Sequence, residues 1–283
     1  MPSATRPIRV AHSPDADDAF MFHALSNGRI ETGGLEFEHV LEDIETLNRR
    51  AEAGEYEVSA VSIHAYPAIA DRYALMNCGA SMGEGYGPVV VSSSPLRPAE
   101  VPGRRLAVPG LRTSAYLAAV LRYGRFDPVV ARFDEIPRLV ASGAVDAGVL
   151  IHEAQLTYAE SALHLVEDLG QWWVEDTGLP LPLGGNVVRR DLGPELVAAV
   201  TAAVRDSIRW GLEHRREALG GAARFAPDLA PERTDRFVRM YVNERTLDYG
   251  PDGRRAVRLF LERAVERGLL DAVPPLDFIG SEA

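Results

Sequence analysis

The chain of 283 residues contains no lysine, and all 30 of its basic residues are arginine. Without lysine there is no Schiff base to a carbonyl and no phosphate-cradling P-loop lysine. Pyridoxal phosphate enzymes and Walker-type ATPases are therefore excluded. The single cysteine, Cys78, can form no internal disulfide and no cysteine-based structural zinc site. A net charge of −11 argues against a nucleic-acid partner, which would require a basic face. No run of about 18 apolar residues occurs, so no membrane-spanning helix is expected. The first ten residues carry no apolar segment of the signal-peptide type, which makes a cytoplasmic location the expectation. No Gly-x-Gly-x-x-Gly follows a strand, so a dinucleotide cofactor is not indicated. Gly83-Glu84-Gly85-Tyr86-Gly87 is glycine-rich but precedes a strand, which is the wrong order for that motif.

What remains is an ordinary globular composition, 46% hydrophobic and 25% charged, long enough for two domains. Short apolar runs alternate with helical stretches, which reads as α/β. Strands are expected at 8–11, 58–61, 88–91, 106–108 and 145–151, and helices at 19–25, 41–53 and 115–121. A long amphipathic helix carries Leu196, Val200, Val204, Ile208 and Leu212 on one stripe, and 253–267 gives another with Val257, Leu261 and Val265. The Ser- and Pro-punctuated stretch 92–102 and the Gly- and Pro-rich stretch 178–185 read as two crossings between lobes. The expected layout is a two-lobed fold of the type II periplasmic-binding-protein kind. One discontinuous lobe would comprise 1–92 and 188–283 and a smaller lobe 93–187, with ligand in a central cleft at strand ends and helix N-termini.

Four segments carry polar groups at such positions. Ser13-Pro14-Asp15-Ala16-Asp17-Asp18 lies between a strand and a helix, where it can contact a ligand through free N–H groups or cap the helix. The strand 58–61 runs into Ser62 and His64, whose polar groups can bind ligand or cap the next helix. Thr113-Ser114, after Pro109-Gly110, opens a helix and again offers either a cap or donors to an anion or polyol. His152, directly after a buried-looking strand, is placed to act as a general base, since an imidazole titrates near pH 6.5. It can equally cap a turn. Cys78 reads as buried, and Trp172-Trp173 as packing. Three carboxylates in one short loop are too few oxygen ligands for a hard cation, so no metal is expected.

Several stretches together resemble the 1,4-dihydroxy-6-naphthoate synthases of the futalosine-dependent menaquinone pathway. They are Ser13-Pro14 with Asp18 and residues 20–25, the run 41–48 ending in Asn48, Gly87-Pro88, and Thr113-Ser114. Further on come Ile151-His152-Glu153 with Thr157-Tyr158, Asp168-Leu169-Gly170 with Trp172-Trp173, residues 177–184, and Tyr241-Val242-Asn243. The resemblance implies a cytoplasmic, cofactor-free lyase of a periplasmic-binding-protein-like fold. It would convert cyclic de-hypoxanthine futalosine, a small-molecule carboxylate, to 1,4-dihydroxy-6-naphthoate with release of the sugar-derived part. It also implies His152 as proton acceptor and substrate contacts at Ala60, Val61, Ser62, Thr113 and Ser114, with Ser13 and Asp17 in the loop after the first strand. The alternatives are a chorismate dehydratase-like relative and a non-catalytic small-molecule-binding protein of the same fold. The sequence departs from the family pattern in that loop: a family amide is the carboxylate of Asp17, and a hydroxyl is lost at Ala19. The contact segment opens with Ala60 where the family often has lysine.

Overall fold

The computed structural model describes residues 6–227 and 229–280. Residues 1–5, on which half of the N-terminal leader reading rests, lie outside the described residues. The strands in chain order are β1 (Ile8–His12), β2 (Phe37–Leu41), β3 (Val58–Ser62), β4 (Tyr73–Met76), β5 (Ser81–Gly83), β6 (Val89–Ser92), β7 (Arg105–Val108), β8 (Asp127–Val130), β9 (Ala147–Leu150), β10 (His164–Asp168), β11 (Leu181–Arg189) and β12 (Phe278–Ile279). The chain forms two compact α/β units. The first comprises residues 1–81, 184–250 and 274–283, and the second comprises 82–183 and 251–273.

The first unit is built on a mixed sheet in the order β12-β4-β11-β3-β1-β2. β1 runs parallel to β2 and β3, and β11 runs antiparallel to β3 and β4. The helix expected from residue 41 begins at Ile44. Leu41 is the last residue of β2, in register with His12, and Asp43 caps the helix by accepting the Thr46 N–H at 3.1 Å. The long helix Pro194–Glu213 starts with proline, whose missing N–H costs nothing at that position, and buries Val197, Val200, Val204 and Ile208.

The second unit holds a five-stranded sheet in the order β10-β6-β9-β7-β8. β7 is parallel to both β8 and β9, while β6 is antiparallel to β9 and β10. Gly148 in β9 lets the helix Ile136–Ala141 approach closely, because a Cβ there would lie 2.5 Å from Ile136 and 2.7 Å from Val140.

The chain therefore passes between units four times, where the sequence pattern suggested two crossings. The stretch 92–102 lies inside the second unit, its serines and prolines ending β6 instead of linking lobes. The stretch 178–185 does hold one of the passages, between residues 183 and 184, but it is built from a helix end and a strand. Gly178 closes the helix Leu169–Thr177 in the left-handed conformation, and Leu181 then starts the longest strand. The helix Gly250–Glu266, assigned by sequence to the first lobe, contributes most of its length to the second unit. Phe260 meets the edge of Trp173 at 5.3 Å, and Arg263 pairs with Asp176. Trp173 is fully buried with its indole N–H donating to the Pro180 carbonyl at 3.1 Å, which is the packing role expected of it.

Candidate active site

In the first unit, the expected contact residues gather at the C-terminal ends of the parallel neighbours β1 and β3. The register Ala11↔Ser59 brings the loop that starts at Ser13 beside the strand end that carries Ala60, Val61 and Ser62. Such an edge is where parallel α/β sheets offer polar groups to ligands. Ser13, Asp15, Asp17 and Asp18 are all buried. The Ser13 backbone N–H donates to Asp18 Oδ2 at 2.7 Å, and the Asp18 N–H donates to Asp15 Oδ1 at 3.1 Å. Asp15 is thus the N-cap of the helix Ala16–Met21, and Asp17 lies in its first turn. The capping reading of this loop holds for Asp15, while Asp18 ties the loop back onto Ser13.

Ser62 is held by a partner that spacing alone did not reveal. Asn48 Nδ2 donates to Ser62 Oγ at 3.1 Å, and the Ser62 backbone N–H donates to Asn48 Oδ1 at 2.8 Å. Both residues are buried. Because the Ser62 oxygen receives the Asn48 hydrogen bond, its own proton points elsewhere, as a donor. Asn48 lies in a motif stretch of the resemblance, but its partner is fourteen positions away and only the fold joins them.

Behind the Ser13 loop lies a pair of imidazoles that the sequence reading did not single out. His12 Nδ1 is 3.1 Å from the Ser13 carbonyl, and His12 Nε2 is 3.1 Å from His39 Nδ1. A carbonyl only accepts, so a neutral His12 carries its proton on Nδ1 and accepts at Nε2 from His39 Nδ1–H. The His12 ring also stacks on Phe22 with centroids 4.6 Å apart. Burial lowers the pKa of His12, and burial together with the neighbouring His12 lowers that of His39 to about 4. Both rings are neutral at physiological pH.

In the second unit, β7 and β9 are parallel neighbours in the register Leu106↔Ala147, so the segments that follow them leave from one edge of the sheet. After β7 comes Thr113, the N-cap of the helix Ser114–Tyr123. Its hydroxyl accepts from the Tyr116 N–H at 3.2 Å and donates to the Gly110 carbonyl at 2.8 Å. Ser114 is the first helical residue, and both side chains are buried. After β9 comes His152, with φ of 54°, in the left-handed region that a non-glycine residue occupies at a cost on the order of 1–3 kcal/mol. Its carbonyl accepts from the Gln155 N–H at 3.2 Å, and its ring meets the edge of Phe133 at 4.8 Å. The turn-capping reading therefore describes the His152 backbone, and the half-buried imidazole remains as the chemical group at this strand end.

Burial pushes the Cys78 thiol up to about 12, so it is protonated at neutral pH and is not a thiolate nucleophile. No helix among the described residues is long and apolar enough to cross a membrane.

The chain matches the family model for menaquinone biosynthesis over residues 8–266. It is 44% identical to a 1,4-dihydroxy-6-naphthoate synthase of Thermus thermophilus, over 94% of this chain and 97% of that enzyme. It is 37% identical to the enzyme of the same name from Streptomyces coelicolor, over 95% and 96% of the two chains. Among solved structures, a protein from Archaeoglobus fulgidus superposes with a TM-score of 0.90 at 47% identity, covering 95% of this chain and all 100% of its own. The alkanesulfonate-binding protein of Xanthomonas axonopodis pv. citri shares the fold alone, with a TM-score of 0.70 at 14% identity over 98% and 97% of the chains. The fold is thus of the periplasmic-binding-protein kind. With a family match across nearly its whole length, the chain belongs to the menaquinone-biosynthesis family and is an enzyme of that family.

Proposed function

We propose that this chain is a 1,4-dihydroxy-6-naphthoate synthase: a cytoplasmic, cofactor-free lyase that acts on cyclic de-hypoxanthine futalosine, with His152 as the general base. The observation that carries the reading is the 44% identity to the Thermus thermophilus enzyme over 94% of the chain. It is supported by the position of His152, fixed by the left-handed backbone at the end of β9 and backed by Phe133. A base must present a neutral imidazole to the proton it removes, and it must hold that ring still. The backbone turn restricts the ring's root and Phe133 restricts its swing. The ring accepts a proton from the substrate, and the sugar-derived part then departs.

Substrate would be held in the first unit by the end of the Ser13 loop, Asp17, and the segment Ala60, Val61 and Ser62. In the second unit it would be held by Thr113 and Ser114. With its hydroxyl proton given to Gly110, Thr113 serves mainly by starting the helix whose N-terminal N–H groups are donors. Ser62, oriented by Asn48, supplies an O–H donor. The purified protein incubated with cyclic de-hypoxanthine futalosine should release 1,4-dihydroxy-6-naphthoate, read by mass spectrometry. No product under conditions where a synthase of known activity turns over would sink the reading.

A further inference from the structure

We infer that Asn186 is a specificity-determining residue of this substrate site, and that its carboxamide binds a hydroxyl group of the substrate. The inference rests on the synthase reading, which places substrate against residues 60–62. Asn186 lies in β11 directly across the antiparallel ladder from Ala60, with Gly185 opposite Val61 and Gly184 opposite Ser62. Directly paired residues project to the same side of a sheet, with Cβ atoms about 4.5–5.5 Å apart. Asn186 therefore flanks the contact segment at the one position where that segment is a bare methyl.

Asn186 is 1% exposed, yet neither Oδ1 nor Nδ2 has a hydrogen-bond partner among the described residues. Buried side-chain amides are ordinarily satisfied, and one left with both its donor and its acceptor idle is expensive to keep. The surroundings make room for it. A Cβ at Gly79 would fall 2.0 Å from Asn186 Nδ2, so only glycine leaves space for the amide there. Gly79 is held by its N–H, which donates to the Thr246 carbonyl at 2.6 Å, and its φ of 78° suits glycine. At Gly184 the nearest side-chain atom to an added Cβ would be Ser81 Cβ at 3.7 Å.

The hydrogen-bonding pattern selects the ligand group. A carboxylate can only accept, so it would engage Nδ2 and leave Oδ1 idle. A cation can only donate, and would leave Nδ2 idle. A hydroxyl does both, accepting from Nδ2 and donating to Oδ1. The family's frequent lysine, replaced here by Ala60, would present a charge on the same side. In this chain a neutral amide from the neighbouring strand takes over, matched to a hydroxyl instead of the substrate carboxylate.

The test compares wild type with Asn186→Leu, of similar size and without polar atoms, and with Asn186→Ala should the leucine variant not fold. Steady-state kinetics with cyclic de-hypoxanthine futalosine should show KM raised about tenfold, the loss of roughly one hydrogen bond, with a smaller change in kcat. Inhibition by 2-naphthoate, which has the carboxylate but no hydroxyl, should be the same in variant and wild type. An unchanged KM overturns the assignment, as it would if a buried water satisfied the amide; in that case melting of the unliganded variant is the property that moves. Equal weakening of substrate and 2-naphthoate also overturns it, because the contact would then be to the carboxylate or to packing. A wild type that does not turn over the substrate defeats the synthase reading, and the Asn186 assignment with it.

Discussion

The β1/β3 edge of the first unit and the β7/β9 edge of the second, each carrying residues proposed to meet substrate, are held in different ways. At the β1/β3 edge polar side chains are tied to one another across the sequence, Asn48 to Ser62 and His12 to His39, while Asp18 closes the loop locally on the Ser13 backbone N–H. At the β7/β9 edge the devices are local. Thr113 caps its own helix, and His152 sits in a left-handed turn at the end of its own strand. An edge built from long-range pairs is a fixed surface suited to recognition. An edge built from a single strained residue presents one reactive group in a defined direction, which suits chemistry. Substitution of His152 should therefore change turnover more than stability, and substitutions on the first edge should change both.

The sharpest break in that comparison is at His152. His152→Asn keeps a polar side chain and tolerates the left-handed backbone better than most residues. Its melting temperature should match wild type while kcat falls by at least about 10²–10⁴-fold, the usual contribution of a general base. Near-normal turnover in a folded variant would remove His152 from the chemistry.

Asn48 tests the other edge. Asn48→Ala strips the Ser62 backbone N–H and hydroxyl of their partner in a buried place. Leaving such groups idle costs about 1–3 kcal/mol each, so urea denaturation should show a loss within or somewhat above that range. KM should rise as well, because the Ser62 hydroxyl is no longer oriented. A variant with wild-type stability but impaired KM would mean that the two edges are held more alike than described.

The two edges also differ in what could be read from sequence. The features that were legible are local ones: the strand ends at β1, β3, β7 and β9, the cap chemistry around Asp15 and Thr113, and the suspicion attached to a histidine following an apolar run. Among the strands missed were β4 and β11. β4 is short, and the Gly and Pro of β11 read as punctuation although Gly185 is required there, since a Cβ would meet the Tyr249 hydroxyl at 2.2 Å. Without β11, Asn186 could not be placed opposite Ala60. Asn48 with Ser62 and His12 with His39 were equally out of reach. Asn48 and Ser62 are joined by a helix against the sheet and His12 and His39 by neighbouring strands, with no periodicity to mark either pair. The assignment of 251–273 failed for the same reason, because the attachment of Phe260 to Trp173 is a tertiary contact between ordinary hydrophobic residues.

A smaller effect separates the edges by pH. His39 is held neutral, with its pKa lowered to about 4 from an ordinary value near 6.5. The unfolded chain therefore binds a proton between those values that the folded chain does not. Stability is fully present above about pH 6.5 and declines as the pH falls towards 4, by at most about 1.4 kcal/mol per pH unit for this one group. Partial exposure of the ring reduces that slope. His39→Phe should flatten the stability profile across this window, although it also costs His12 its donor and lowers stability at pH 7. An unflattened profile would assign the acid sensitivity to other groups.

The smallest expected effect is at Thr113, where the cap and the ligand roles can be separated. Thr113→Val keeps the shape and removes the hydroxyl that accepts from Tyr116 and donates to Gly110. Loss of a cap of this kind costs about 0.5–2 kcal/mol of stability. Thr113→Ser should restore most of it, because serine caps at least as well. If Thr113 acts only by starting the helix, KM should follow stability in both variants: modestly raised in valine, near wild type in serine. If the hydroxyl also contacts substrate, the valine variant should lose affinity beyond what its stability accounts for. Adding a stabilising substitution remote from both edges would then rescue the melting temperature without rescuing KM. That outcome would make the β7/β9 edge a recognition surface as well, and the division between the two edges would narrow to His152 alone.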